Sequence, residues 1–232
     1  MRDYKALFKR VGIALLSCLA FYLLARARIT AFIAPLASGL YAGAIYCRKN
    51  YYILSLSYLI AYALANMSYA GLISAVSLVA VFGIAKLVHY KLAVVMRIPF
   101  VAVYCALAQV PSSVMDMVFN GRIVLGVASI AQAAIFSVLC CYCCYALLIR
   151  RDAIKFSYDE KSGIFALTAA LSLGLAGIAL WEFMPYYIVL GAAILLSVMC
   201  MRRLSSLGVC VAVGVGAAIK FGSLQALGAI VL

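Results

Sequence analysis

The sequence is poor in charged residues, which make up 11% of its 232 positions, against about 25% in a typical soluble domain. Only 6 of these residues are acidic, and there is one histidine. Hydrophobic residues reach 69%, and the mean hydropathy is +1.18. A soluble core cannot bury that much apolar surface, so the composition excludes an ordinary soluble globular domain. The shortage of acids and histidine also leaves few residues for acid–base or metal chemistry.

The basic residues outnumber the acidic ones, with 19 Lys plus Arg and a net charge of +13. Such an excess can indicate nucleic-acid binding, but no basic face, Gly-rich loop or aromatic platform accompanies it. In a membrane protein the same excess is the cytoplasmic Lys/Arg bias, helped by attraction to anionic headgroups. We therefore expect the lipid bilayer and its anionic headgroups as partners, and no nucleic acid.

The longest polar interruption covers residues 150–163, Arg-Arg-Asp-Ala-Ile-Lys-Phe-Ser-Tyr-Asp-Glu-Lys-Ser-Gly. Its four basic and three acidic side chains are too polar for hydrocarbon, so the segment must lie at a membrane surface. The apolar regions on either side of it must then cross the membrane. The sequence thus predicts an all-α, polytopic membrane helical bundle.

We predict a single integral membrane domain over residues 1–232, with nine full transmembrane helices and a partial tenth. Residues 86–97 mix charge with apolar positions, which suits a helix in the headgroup plane or the start of the fifth span. The predicted spans are about 11–25, 29–47, 51–65, 70–85, 98–115, 123–149, 164–180, 186–201, 204–219 and 221–232 (partial).

The distribution of basic residues supports this topology. If the N-terminus is cytoplasmic, 15 of the 19 Lys and Arg residues fall in inside segments and 4 fall outside. This asymmetry is the positive-inside pattern, and one missed or added span would destroy it. We expect a multi-pass protein of a bacterial plasma membrane with a cytoplasmic N-terminus.

A cysteine cluster is the most unusual motif of the chain: Cys140, Cys141, Cys143 and Cys144. On a helix, Cys140 shares a face with Cys143 or Cys144, which is compatible with metal ligation. Two ligands make only half of a tetrahedral site, and no histidine or carboxylate is near. A packing surface, or acylation near the cytoplasmic end, is the preferred interpretation, with a metal site as the alternative. We expect no structural disulfide.

Catalytic and transport residues are not evident. His89 lies between Lys86 and Lys91, where contact with solvent or headgroups is expected rather than catalysis. No predicted span carries an acid near its centre, which argues against ion coupling. Arg26 and Arg28 are close enough to one predicted surface to pair with Asp116 or Glu182, although an ordinary interfacial role is the simpler account. We predict no enzyme activity, no cofactor and no catalytic or metal site.

Several short stretches resemble the membrane region of stage II sporulation protein E from endospore-forming bacteria. They are Leu-Leu-Ala-Arg-Ala-Arg at 23–28, Pro-Leu-Ala-Ser-Gly-Leu-Tyr-Ala-Gly at 35–43, Arg-Lys at 48–49, Tyr-Asp-Glu-Lys-Ser-Gly at 158–163 and Gly-Val-Gly at 214–216. The resemblance implies a ten-span region followed by a cytoplasmic linker and a metal-dependent protein serine phosphatase. That enzyme activates the first forespore sigma factor by dephosphorylating an anti-anti-sigma protein. The membrane part is implicated in placing it at the division septum, with the cell-division ring as partner.

This chain stops at Leu232, so none of its residues can take the role of the phosphatase aspartates. The expected function is a non-enzymatic anchor that places a cytoplasmic partner or fused domain at the septum. Segment 150–163 is expected to contact partners, and the ninth span, with Gly208, Gly214 and Gly216, to pack or self-associate. The alternative is a small-solute permease or the substrate-binding membrane subunit of a transporter. A filled interior favours the anchor, and a polar midplane pocket favours transport.

Overall fold

A computed structural model describes residues 2–27, 35–47, 51–65, 69–93, 95–121, 123–150, 157–175, 211–212 and 214. Regular secondary structure in this part of the chain is entirely α-helical, which confirms the predicted all-α class. The predicted eighth and tenth spans, and nearly all of the ninth, lie outside the described residues. The described residues form seven helices: α1 (Arg2–Arg26), α2 (Pro35–Cys47), α3 (Tyr51–Ala65), α4 (Tyr69–Lys91), α5 (Ile98–Asn120), α6 (Ile123–Leu148) and α7 (Tyr158–Leu175).

Three of the described helices are long and apolar enough to cross a membrane: Gly71–Lys91, Ile98–Asn120 and Ile123–Leu148. This agrees with a membrane protein, but it is fewer than the nine full spans that the sequence predicts. The apolar part of α1, Val11–Arg26, and α3 are shorter. They fall below the roughly 20 residues that a perpendicular span needs.

The connection between α4 and α5 differs from the prediction. Residues 86–91 continue α4 by a turn and a half instead of forming a separate helix in the headgroup plane. The chain then turns at Ala93, whose φ is +52°, and Arg97 precedes α5 in an extended conformation. Pro99 occupies the first turn of α5, where a missing N–H is tolerated. Helix α4 continues past Lys86 to Lys91. A lysine near the end of a membrane helix permits this, because its long side chain can extend to the headgroups.

Helix α5 also runs further than predicted, to Asn120 rather than residue 115. It ends at Gly121, which has φ +65° and donates its N–H to the carbonyl of Met117. Glycine adopts this left-handed conformation without steric penalty. Pro111 is accommodated inside the helix.

Helix α2 is the centre of the described bundle. Its residues 35–45 are all buried, and it contacts α1, α3, α4, α5 and α6. A helix that is apolar on all sides has no face to turn toward water, which favours the central position. Aromatic rings pack around it: the Phe21 and Tyr58 rings meet edge to face at 5.4 Å, and those of Tyr41 and Phe82 at 5.8 Å.

Helix α6 packs on α2, α5 and α7. The outer faces of α5 and α6 expose large apolar side chains that lipid would cover. Examples are Val103, Leu107, Val118, Val127 and Ile135, each more than half exposed.

Candidate functional sites: a glycine seam, a polar cluster and a charged junction

The contact between α2 and α6 is a glycine seam, formed by Gly39 and Gly43 against residues 136–140. A Cβ added at Gly43 would lie 2.7 Å from the carbonyl carbon of Cys140, and one added at Gly39 would lie 3.0 Å from the backbone nitrogen of Ser137. The two backbones are therefore in contact, as small residues four positions apart permit. The Gly-x-x-x-Gly spacing is a sequence signal for this contact, and our sequence analysis missed it.

The cysteine cluster lies partly on this seam, since Cys140 contacts Gly43 of α2, whereas Cys143 contacts Gly163 of α7. Cys140, Cys141 and Cys143 are fully buried, Cys144 is 6% exposed, and none of the four forms a disulfide bond. Among the described residues, no group of three or more His, Cys, Asp or Glu side chains has an arrangement that could hold a metal. The small thiols of Cys140 and Cys143 allow the close approach of Gly43 of α2 and Gly163 of α7, which agrees with the packing interpretation.

A polar cluster lies between α4, α5 and α6. Ser74 Oγ of α4 donates to Gln109 Oε1 of α5 at 2.8 Å, and Ser77 Oγ donates to the carbonyl oxygen of Ala108 at 2.6 Å. Ser113 of α5 and Ser129 of α6 are joined through their hydroxyls at 2.9 Å. These bonds tie three helices together with uncharged groups.

Two glutamine side-chain atoms are buried without a partner in the described part of the chain: Gln109 Nε2 on α5 and Gln132 Oε1 on α6. Gln109 is fully buried and Ser112 Oγ also approaches its Oε1 at 3.4 Å. Buried polar groups are normally hydrogen-bonded, so each exception requires an explanation. Neither glutamine was predicted as a candidate site residue, although an amide inside an apolar span is a recognisable signal.

The junction between α6 and α7 is charged. Ser157 and Glu160 form a capping box at the start of α7, since the Ser157 N–H donates to Glu160 Oε2 at 2.7 Å and the Glu160 N–H donates to Ser157 Oγ at 3.3 Å. Arg150 Nη1 lies 2.9 Å from Glu160 Oε1. The hydrogen bond from the Ser157 N–H lowers the pKa of Glu160, aided by Arg150 and opposed by desolvation.

The ion pair between Arg150 and Glu160 joins the two ends of segment 150–163. We predicted that this segment contacts a partner. The side chain of Glu160 is 4% exposed, whereas that of Arg150 is 43% exposed. Residues 151–156 lie outside the described part of the chain. A Cβ added to Gly163 would contact the carbonyl oxygen of Leu139, so α7 leaves the junction in close contact with α6.

The remaining candidate residues lie apart from these sites. His89 Nε2 is 3.1 Å from Tyr104 Oη, and the imidazole is partly buried rather than simply solvated. Arg26 donates to Tyr22 Oη at 3.0 Å. The side chain of Asp116 and residues 28 and 182 lie outside the described part, so the predicted pairing with Arg26 or Arg28 stays a prediction. The ninth-span glycines are also outside it, except Gly214, which is buried.

The fold and these sites define an α-helical protein with helices long and apolar enough to cross a membrane. No protein-family model, curated protein or solved structure matches the chain.

Proposed function

We propose that the chain is a non-enzymatic membrane anchor and localisation region, similar in role to the membrane region of stage II sporulation protein E. In this proposal it places a cytoplasmic partner or fused domain at the division septum of a bacterium. Contact with cell-division ring proteins would be made through its cytoplasmic loops, and self-association through its glycine-bearing ninth span.

The observation that carries the proposal is that the centre of the described part of the bundle is filled by side chains. Where a transporter needs a path for solute, α2 is buried from residue 35 to residue 45 and is in backbone contact with α6 at Gly43. Aromatic side chains of α1, α3 and α4 fill the space around Tyr41. Packing of this kind suits a rigid anchor, since close-packed protein interiors have low compressibility and resist rearrangement.

The proposed topology has nine full spans and a partial tenth in a bacterial plasma membrane, with the N-terminus in the cytoplasm. The positive-inside distribution supports it. The shorter helices would cross by means of flanking Lys and Arg side chains that extend to the headgroups and by local thinning of the bilayer. The polar junction at Arg150 and Glu160 would then lie at the cytoplasmic surface.

The topology can be tested by labelling single cysteines in intact cells, in a background with the nine native cysteines replaced. Lys155→Cys should be protected from an impermeant maleimide and react only after permeabilisation. Arg122→Cys, on the proposed outer side, should react at once. Labelling of Lys155→Cys in intact cells would contradict the topology.

The localisation role can be tested with a fluorescent protein fused to the N-terminus and expressed in an endospore-forming bacterium. The anchor proposal predicts enrichment at the division septum. The combined variant Lys155→Gln/Lys161→Gln should stay in the membrane but lose that enrichment if segment 150–163 contacts the partner. An even distribution of the unmodified chain around the cell would overturn the proposal.

A small-solute permease, or the substrate-binding membrane subunit of a transporter, is the second candidate. The buried glutamines favour it, because Gln109 on α5 and Gln132 on α6 each have an uncharged hydrogen-bonding atom that is buried without a partner among the described residues. Binding sites for neutral solutes in membranes use such groups. Uptake of a labelled solute by vesicles containing the purified chain would favour transport over anchoring.

A further inference from the structure

The basic residues in the first half of the chain have no acidic residues near them in sequence. Between Asp3 and Asp116 there are ten Lys and Arg residues and not one Asp or Glu. One of the ten, Lys86 of α4, is partly buried. In the part of the chain that the structure describes, Lys86 forms no ion pair, and the salt bridge found there joins Arg150 to Glu160. A partly buried cation is costly without an opposite charge, so we expect an anion from outside the chain beside Lys86.

Side chains of two neighbouring helices lie on either side of Lys86. Its ammonium nitrogen is 5.4 Å from the centre of the Tyr51 ring of α3, a cation–π contact. The Tyr104 ring of α5 lies 6.2 Å from the Phe82 ring and 5.9 Å from the His89 ring, measured between centres. Since Lys86 lies between Phe82 and His89 along α4, the Tyr104 ring lies at the level of Lys86.

The groups at this level can donate hydrogen bonds to an anion. Lys86 and His89 are three residues apart on α4, which places their Cβ atoms about 5–6 Å apart on one side of the helix. His89 Nε2 is 3.1 Å from Tyr104 Oη. When the imidazole donates this bond, the Tyr104 hydroxyl keeps its own proton for another acceptor. An ammonium and a hydroxyl are suitable donors to phosphate oxygens.

The location of these donors indicates the source of the anion. Lys86 lies near the end of a helix that is long and apolar enough to cross a membrane, so its side chain can extend to the lipid headgroups. Basic pockets between membrane helices bind anionic headgroups. On α4 and α5 the neighbouring apolar side chains that acyl chains would cover are each more than half exposed: Ile84, Leu87, Val103 and Leu107. A phospholipid supplies both the phosphate and the acyl chains, whereas a soluble phosphate supplies only the first.

We propose that Lys86, held over the Tyr51 ring, binds the phosphate of one anionic phospholipid at the end of α4, with the Tyr104 hydroxyl as a second donor oriented by His89. This goes beyond the general attraction of basic residues to headgroups, because it assigns one lipid to a defined group of side chains. It does not depend on the anchoring role, so either proposal can fail alone.

Binding of phosphatidylglycerol to the purified full chain in detergent micelles, followed by native mass spectrometry, tests the assignment. Lys86→Gln should weaken binding by roughly tenfold, because it removes a charge-assisted hydrogen bond. The matched control is Lys91→Gln, at an exposed position of the same helix end. It should weaken binding less, and hardly at all at high salt, which screens exposed charges more than partly buried ones. Equal losses at the two lysines under high salt would show only a general attraction of basic residues and would overturn the proposal.

Unfolding in lipid nanodiscs separates the anionic lipid from other anions. In phosphatidylcholine alone, the unmodified chain and Lys86→Gln should unfold at similar temperatures, and added phosphatidylglycerol should stabilise the unmodified chain more. If Lys86→Gln is less stable by the same amount in both lipids, the anionic lipid does not supply the anion and the proposal is wrong. Inorganic phosphate added to phosphatidylcholine nanodiscs should have little effect. If it stabilises the unmodified chain as much as phosphatidylglycerol does, the site binds soluble phosphate and the assignment to a lipid fails.

Discussion

The glycine seam between α2 and α6 and the polar cluster between α4, α5 and α6 hold the bundle together in different ways. In the seam, Gly39 and Gly43 remove side-chain volume until the backbones touch. In the cluster, hydroxyls and amides reach across at ordinary separations, as from Ser74 to Gln109. Lipid is as apolar as a leucine side chain, so helices in a membrane gain little from hydrophobic burial against each other. Close packing and hydrogen bonding are what remain, and this chain uses them at separate contacts.

The largest expected effect is at the seam. Gly43→Val would force added carbons into the backbone of Cys140 and should lower the free energy of unfolding by about 1–3 kcal/mol. The matched control is Gly12→Val in α1, where an added Cβ meets no atom within 4 Å. Reversible unfolding in mixed micelles measures both. Because valine has a higher helix propensity than glycine, Gly12→Val should not destabilise the protein, and equal losses at the two glycines would contradict the contact of Gly43 with α6.

Two buried tyrosines, one with a hydrogen-bonded hydroxyl and one without, allow the contribution of a hydrogen bond to be measured apart from that of packing. Tyr41 Oη is 2.8 Å from Ser55 Oγ, so Tyr41→Phe should cost about 1 kcal/mol. Tyr58 Oη is buried without a partner among the described residues, so Tyr58→Phe should be neutral or stabilising. The same unfolding assay compares the two variants. A loss at Tyr58 as large as that at Tyr41 would contradict the described environment of its hydroxyl.

The charged junction should respond to a cap mutation and to pH. Ser157→Ala removes a side-chain cap from α7 and should destabilise the protein by about 1 kcal/mol. Because the pKa of Glu160 is lowered in the folded state, its ionised form stabilises the fold above the ordinary glutamate pKa of about 4.3. That contribution is lost as the pH falls through the lower folded value.

Unfolding measured between neutral pH and pH 3 checks this sign. The unmodified chain should lose more stability on acidification than Glu160→Gln, which has no proton to gain at that position. If the two proteins lose the same stability on acidification, ionised Glu160 does not stabilise the junction.

The smallest effect is expected in the polar cluster. A double-mutant cycle on Ser113→Ala and Ser129→Ala should give a coupling free energy of about 0.6 kcal/mol, the average for hydrogen bonds between membrane helices. Replacing both serines should cost little more than replacing one. A coupling near zero would mean that the 2.9 Å contact between the hydroxyls contributes nothing, and that packing alone joins α5 to α6.

The sequence predicted the helices better than their contacts. Apolar runs and basic ends predicted a helical segment within each of α1 to α7, because both signals are local. Two starts were wrong: α1 begins at Arg2 and α7 at Tyr158, ahead of the predicted residues 11 and 164. The extension of α4 through Lys91 was missed, since basic residues were taken to end the span. The partners of Gly43 and Gln109 were missed because they are distant in sequence. The serines gave no guidance, because a serine in an apolar helix can bond its own preceding turn, as Ser38 does to Pro35.

The central claim is that α2 is enclosed by other helices and shielded from lipid, and tryptophan quenching tests it most directly. Trp181 is the only tryptophan, so Trp181→Phe gives a dark background. A single tryptophan is then introduced into this background, either as Tyr41→Trp, at a fully buried position of α2, or as Leu107→Trp, at a position of α5 that is 55% exposed. In vesicles with brominated acyl chains, fluorescence from position 107 should be strongly quenched and fluorescence from position 41 should persist. Equal quenching at the two positions would contradict the account.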